Sequence, residues 1–341
     1  MKFIKILAAL ALVGLLVAGA VAGWAWSQAQ AFLEATPSTT HDERILTIPR
    51  GSGPQAVSRL LADAGVVTDA EKFALFLRYE KAAGGLRAGE YRFWTDHTPD
   101  QVLDLLLHAP EVTYPVTLPP GLRIEEMAAL VEEAGMGSAV EYTRRARDAD
   151  VIAGYGLPFD KAPENLEGLL VPETYNLGPG ADEVAVMDAQ IARLKEIWTP
   201  ERTAQAKEIG LTPYEVMIMA SLVEKETAVP EERPLIAGVF LNRLRIGMRL
   251  ETDPTIIYGL KNYDGNIRKA DIRRPHRWNT YVIPALPPTP IAGGGIEAID
   301  GVLNPTTTKA LFFVAKGGGA HHFSETYAEH ARMVRKYILK R

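Results

Sequence analysis

The chain has 341 residues, with 37 Lys and Arg against 42 Asp and Glu, a net charge of −5; it lacks the basic excess that argues for a nucleic-acid partner. It contains no cysteine, which excludes disulfides, thiolate zinc sites and cysteine nucleophiles. At 47% hydrophobic and 23% charged, the composition is that of ordinary globular protein, long enough for two or three domains.

Lys2 and Lys5 precede an almost unbroken apolar run over residues 6–26, about the length of a helix that crosses a bilayer. Trp24 and Trp26 mark its far interface, and no further Lys or Arg occurs before Arg44. The positive-inside rule therefore puts the N-terminus in the cytoplasm and the rest of the chain outside. Small residues at Ala18 to Ala20 also suit a cleaved signal peptide, but the apolar run continues past them, which favours an uncleaved anchor over residues 1–27. Residues 28–44, polar and containing Pro37, read as a linker.

A strand is expected over 45–48, a turn over 49–54, helices over 55–64 and 69–79, and a strand over 91–94. This β-α-α-β order resembles the LysM module, which binds N-acetylglucosamine-containing glycans. Thr98 and Pro99 open a further helix to residue 108, and the module is bounded at 45–112. The stretch LTIPRGSGPQAVSRLLADAG (46–65) reappears without a gap as VTLPPGLRIEEMAALVEEAG (116–135). The same strand, turn and helix device is thus used twice, although chance similarity of such units is the alternative.

From 113 to 341 a mixed α+β domain is expected. Within it LEGLLVPETY (166–175) mixes turn formers with apolar residues, and helices are expected over 182–198, 213–227 and 230–246. Arg243 and Arg245 lie where cations suit the last helix dipole. Beyond Gly247 the chain is rich in Pro, Gly, Asn and Tyr with little helical periodicity, as suits either a polymer-binding cleft or long surface loops.

The helix over 213–227 carries the most informative motif, ASLVEKET (220–227). Thr212, Pro213 and Glu215 supply its cap, first-turn proline and capping-box glutamate. Val216, Met219, Val223 and Glu226 step along one face, which puts Glu226 where a core residue belongs. A carboxyl in apolar surroundings keeps its proton near neutral pH and can act as an acid. The alternative is that Glu226 sits in a fraying last turn and reaches water. Glu224 points to the opposite face, with Ala220, Ser221 and Thr227.

Four segments, ASLVEKET, NRLRIGMRLETDPTIIYG (242–259), WNTYVIPALPP (278–288) and HHFSETYAEH (321–330), together with EGLLVPETY, closely resemble the YceG-like endolytic murein transglycosylases. The resemblance covers essentially the whole chain. It implies cleavage of the β-1,4 bond between N-acetylmuramic acid and N-acetylglucosamine in peptidoglycan without water, leaving 1,6-anhydro-muramoyl ends, with the second glutamate of EKET, Glu226, as the catalytic residue. It further implies an inner-membrane protein with an outer, periplasmic catalytic domain, and glycan strands as substrate. Tethering at the membrane, where new glycan is made, adds peptidoglycan synthases as expected partners. One carboxyl suffices for such a reaction, giving its proton to the glycosidic oxygen and then taking one from the muramoyl C6 hydroxyl.

Supporting candidates are Glu224, Glu173, Tyr175, Asn242, Arg243, Asp253, Tyr258, Asn279, Tyr281 and His321. Each has a plainer reading: Glu224 as a solvated surface group, Asp253 as a turn residue before Pro254, Asn242 and Arg243 as anchors of a helix end, the tyrosines as core. As a second carboxylate Asp253 would suit an inverting, muramidase-type hydrolase. A membrane-tethered glycan-binding scaffold, with EKET structural, is the alternative outside enzymes. No cofactor is expected, and His321, His322 and His330 match no strong zinc signature. The chain departs from the family's common residues at Trp278 (Tyr), Ala285 (Gly) and Gly293 to Gly295 (an Asn-Pro-Gly turn).

Overall fold

A computed structural model describes residues 2–110 and 112–339, in two units, Met1–Thr113 and Tyr114–Arg341. The first contains α1 (Lys2–Leu33), β1 (Glu43–Ile48), α2 (Pro54–Asp63), α3 (Ala70–Tyr79), β2 (Gly89–Trp94) and α4 (Pro99–His108). Strand β1 pairs antiparallel with β2, from Glu43 opposite Trp94 to Ile48 opposite Gly89. The inward side chains Ile48, Val57, Leu61, Phe73, Leu77, Tyr91, Phe93 and Leu106 form its core. In α1 the stretch Leu12–Leu33 is long and apolar enough to cross a membrane, with Leu12, Leu15, Leu16 and Trp24 exposed. The helix runs on to Leu33, into the segment expected to be linker, because Phe32 is buried in the core of this unit.

The second unit begins with β3 (Tyr114–Thr117), α5 (Ile124–Glu133), α6 (Ala139–Arg145), α7 (Ala149–Gly154) and β4 (Thr174–Leu177). Strands β3 and β4 pair antiparallel. This start repeats the design of the first unit position by position. Ile48, Val57, Ser58, Leu61 and Val66 are buried, and so are Leu118, Met127, Ala128, Val131 and Met136, each seventy residues on. Gly51 and Gly121 both take positive φ, at 78° and 83°, as do Gly65 and Gly135 at 70° and 72°, conformations that favour glycine. Both helices also close alike, with Val66 N–H donating to the Leu61 carbonyl at 2.8 Å and Met136 N–H to Val131 at 3.0 Å.

Then come α8 (Glu183–Ile197), α9 (Pro200–Glu208), α10 (Pro213–Glu226), α11 (Arg233–Arg245), α12 (Asp253–Gly259), α13 (Lys269–Arg273), α14 (Ile296–Leu303), β5 (Phe312–Gly317), β6 (Ala320–Ser324) and α15 (Tyr327–Tyr337). Strands β5 and β6 form a third antiparallel pair, so the chain is mixed α+β. Four helices thus lie beyond Gly247, where little helical periodicity is evident. Helices α12 and α13 have seven and five residues, too short to show a period. The start of α14 is hidden behind three glycines, and α15 has no buried residue. The expected helix over 230–246 is a 3₁₀ turn, Pro230–Glu232, followed by α11.

Helix α10 is the axle of the second unit. Every residue from Val216 to Val223 is buried, so the helix has no single apolar stripe, and both of its faces are core. It packs against α9, α11, α12 and α14. Gly294 lies so close that a Cβ there would stand 3.2–3.4 Å from atoms of Ala220. The Ser221 hydroxyl accepts from Ile291 N–H at 3.1 Å. The three consecutive glycines are therefore where the loop before α14 approaches the axle's backbone.

Candidate active site

The C-terminal turn of α10 presents four polar side chains in a row, each taken by a different part of the fold. Glu224 accepts from Arg233 Nη2 at 3.1 Å and from Gly295 N–H at 3.1 Å. Both side chains of that pair are nearly buried, at 10% and 7% exposure for Arg233 and Glu224, so Glu224 is not the solvated surface group of the plainer reading. It ties the end of α10 to the starts of α11 and α14, and its charge suits the N-terminus of α14. Lys225 Nζ donates to the Gly121 carbonyl at 3.0 Å. Gly121 N–H in turn donates to Gly293 at 2.7 Å, and Gly293 N–H to Leu122 at 2.8 Å. The repeated turn of the second unit is thereby built into the wall beside the motif. Thr227 caps the helix, accepting from Val229 N–H at 3.0 Å and reaching Glu232 at 3.5 Å.

Glu226 stands between these anchors. The Thr252 hydroxyl donates to its Oε1 and is its sole hydrogen-bond partner among the described residues. Thr252 is fixed from behind: its N–H donates to Thr280 Oγ1 at 3.0 Å, and Thr255 and Thr280 share a hydrogen bond at 2.9 Å. All three threonines are buried. The preceding residue, Glu251, has φ of 48°, uncommon for a side chain of that length, and this turn aims Thr252 at the carboxyl. Burial pushes the Glu226 carboxyl up to about 7. The Thr252 hydrogen bond and the Arg243 charge oppose that rise, and the nearby Asp253 charge adds to it. Glu226 is half-buried as a residue, and its carboxyl is half protonated near neutral pH. It can donate a proton and, once ionised, accept one.

Of the other candidates, only Asp253, Arg243 and Tyr281 gather near Glu226. Asp253, exposed at the first turn of α12, accepts from the Tyr281 hydroxyl at 2.7 Å. Arg243 is buried and donates to the carbonyls of Leu311 at 2.6 Å and Leu250 at 2.7 Å. It thus anchors the loop segment before Thr252 while adding positive potential. Asn242 donates to Thr308 and Ala310 carbonyls at 2.8 and 3.2 Å, an anchor only. Glu173 pairs with Arg193 at 2.9 Å, and the buried Tyr175 hydroxyl donates to the Val171 carbonyl at 2.7 Å. Both belong to the β4 region. His321 Nδ1 meets Glu232 Oε2 at 2.7 Å, and its N–H donates to Oε1 at 2.8 Å; this ties β6 to the residue that Thr227 reaches. His330 stacks on Phe312.

Thr252, Thr280, Glu232 and Glu167 are structurally prominent residues that sequence reasoning did not single out. Glu167, 2% exposed, accepts from Ile124 N–H and the Tyr258 hydroxyl, both at 3.1 Å. Burial raises its carboxyl to about 7. It holds Tyr258, at the far end of α12, while Tyr258 and Trp278 meet edge to face at 5.2 Å. Thr252 and Glu167 both lie inside motifs quoted above, NRLRIGMRLETDPTIIYG and EGLLVPETY. In the first the contact is carried by the residue before Asp253, and in the second by the first glutamate, six positions before Glu173. Gly168 follows Glu167 with φ of 70°, and a Cβ there would stand 2.2 Å from Pro290.

The YceG-like family model matches residues 46–336. The chain belongs to that family. It is 27% identical over 330 residues to the endolytic murein transglycosylase of Bacillus subtilis (strain 168), covering 93% of this chain and 91% of that protein. It is 28% identical over 332 residues to the endolytic murein transglycosylase of Streptococcus pneumoniae serotype 2 (strain D39 / NCTC 7466), covering 89% of this chain but 60% of that longer protein. A 2.6 Å crystal structure of a yceG-like protein from Listeria monocytogenes superposes with a TM-score of 0.59 at 25% identity, covering 85% of this chain and 98% of that one. Family membership thus meets, in one chain, a carboxyl that burial pushes up to about 7.

The Thr252 hydrogen bond favours the ionised carboxyl, so its removal has a defined sign. Thr252→Val is expected to raise the pKa of Glu226 further. The alkaline limb of the activity profile would move to higher pH, as read from initial rates between pH 5 and 9. A limb that stays put or moves down would mean that a group other than Glu226 sets it.

Proposed function

We propose that this chain is an endolytic murein transglycosylase whose single acid–base group is Glu226. The observation that carries this reading is the Glu226 carboxyl itself, on a rigid buried helix, held by Thr252 and protonated up to about pH 7. The names of the relatives support the same reading. Glu226 in its acid form protonates the oxygen between N-acetylmuramic acid and N-acetylglucosamine as the bond to C1 breaks. The carboxylate then removes the proton from the muramoyl C6 hydroxyl, which attacks C1 and closes the 1,6-anhydro ring. Protons balance over the cycle, and the substrate's own hydroxyl takes the place of water. Asp253 and Tyr281 stand beside the site as candidates for sugar hydroxyls.

The same proposal makes α1 a single membrane anchor with the N-terminus cytoplasmic and both units on the outer, periplasmic side of the inner membrane. The β-α-α-β module of the first unit is then a LysM-like glycan contact, and peptidoglycan synthases are neighbours at the membrane. Asp253 favours one rival, a muramidase-type hydrolase in which it activates water.

Mass spectrometry of glycan strands digested by the full chain separates the readings. Transglycosylation leaves 1,6-anhydro-muramoyl ends. Reducing ends would assign hydrolysis, and uncut strands that remain bound would assign a glycan-binding scaffold.

A further inference from the structure

The segment between α12 and Thr280 carries a positive excess in an acidic chain. Residues 261–277 hold six Lys and Arg against two Asp, in a chain of net charge −5. All six, Lys261, Arg268, Lys269, Arg273, Arg274 and Arg277, are exposed. Arg268 is paired with Asp264, and Arg277 with Glu164 at 2.6 Å. Lys261, Lys269, Arg273 and Arg274 have no ion-pair partner among the described residues.

This excursion is pinned to the floor of the candidate site. The buried Asn279 amide donates to the carbonyls of Asp271, Ile272 and Arg274 at 3.4, 3.0 and 2.9 Å. Its neighbour Thr280 holds Thr252, which holds Glu226. At the other end, α12 rises about 1.5 Å per residue, so the basic segment departs roughly 10 Å from the Thr252 end. The backbone that carries Arg273 and Arg274, with Lys269 just before it, is thereby tied to the residue beside Thr280, and Lys261 leaves the far end of α12. An uncharged glycan backbone offers them no ion-pair partner, but the peptides that branch from its muramoyl residues carry free carboxylates.

We infer that residues 261–277 form a docking surface for the carboxylates of those peptides, so that the enzyme recognises peptide-bearing glycan in preference to bare glycan. This rests on the glycan-cleaving reading above. Exposed pairs of this kind are individually weak and screened by salt, so several together give a preference of roughly three- to tenfold that shrinks as salt is added.

The test uses binding, so that it does not depend on the chemistry. Full-length Glu226→Gln protein is titrated with soluble glycan strands that bear their peptides and with the same strands stripped by an amidase. The expected result is three- to tenfold tighter binding of the peptide-bearing strands, falling with salt, and abolished by the added triple change Lys269→Glu, Arg273→Glu and Arg274→Glu. The control triple change Lys161→Glu, Lys195→Glu and Lys207→Glu, at three exposed lysines outside this segment, leaves the preference intact, which separates local recognition from an equal change in net charge. Equal binding of the two strands, or a preference that survives the triple change, overturns the inference. So does a triple change that weakens only binding to phosphatidylglycerol vesicles, which would assign the patch to a lipid surface. The cleavage reading fails separately, by the absence of anhydro ends.

Discussion

Replacing Glu226 by Gln is expected to lower the rate of anhydro-end formation by about 10²- to 10⁴-fold, the usual worth of a positioned general acid–base group. Loss of folding cannot be the cause, because the same change should make the protein more stable. The Glu226 carboxyl is raised from 4.5 to about 7 by burial, so the folded state holds this proton more tightly than the unfolded chain. The stability linked to that proton is present below pH 4.5, is lost as pH rises from 4.5 to 7, and stays lost above 7. At about 1.4 kcal/mol per unit, the ionised carboxylate costs on the order of 3 kcal/mol. Gln, neutral at every pH, avoids that cost. Its Tm should exceed the parent's by roughly 5–10 °C at pH 8 and match it near pH 4. An inactive variant that melted lower at pH 8 would show that Glu226 is a structural residue. In the parent enzyme the rate should fall about tenfold per pH unit above 7, as the acid form is depleted.

Arg233→Met should be the most destabilising change at the motif. It strands Glu224 as a nearly buried, 7% exposed carboxylate with one N–H left to hold it. Breaking a buried pair from one side costs about 3–5 kcal/mol, a fall in Tm of roughly 10 °C for a unit of this size. Removing both charges, Arg233→Met with Glu224→Gln, should restore part of the loss, since no uncompensated charge remains. The pair also joins the ends of three helices directly behind Glu226, so the single variant should lose activity beyond what unfolding explains. Urea denaturation of the three variants beside the parent measures the coupling. Additive losses in the double variant would mean that the two groups act independently and that Glu224 is effectively solvated.

Much of this was readable from the residues, and where it was not the reason is physical. The helix bearing EKET announced itself through Thr212, Pro213 and Glu215, whose capping box is present as expected, with Thr212 accepting from Glu215 N–H at 3.2 Å. The repeat at 46–65 and 116–135 survives as shared glycine conformations and shared buried positions. Periodicity suggested one apolar stripe, whereas α10 is buried on every side and the environment of its last turn is made by α12 and the Thr280 segment. Those contacts join residues 26 to 28 positions apart, which no local pattern encodes. The same limit hid Glu224. A helix carboxylate looks solvated until Arg233 and Gly295, 9 and 71 residues away, close over it. Asn279 lay in a recognised motif, yet its partners are backbone carbonyls, and such a role leaves no mark on composition or spacing.

The central claim is that a single carboxyl, Glu226, keeps its proton up to neutral pH in this site. Infrared difference spectroscopy of the parent against Glu226→Gln, titrated from pH 4 to pH 9, isolates that carboxyl from Glu167, whose carboxyl is also raised to about 7. A protonated C=O band that disappears with a midpoint near 7 is the predicted result. A midpoint near 4.5 would mean an ordinary solvated carboxylate, and would contradict the account of Glu226 as the acid.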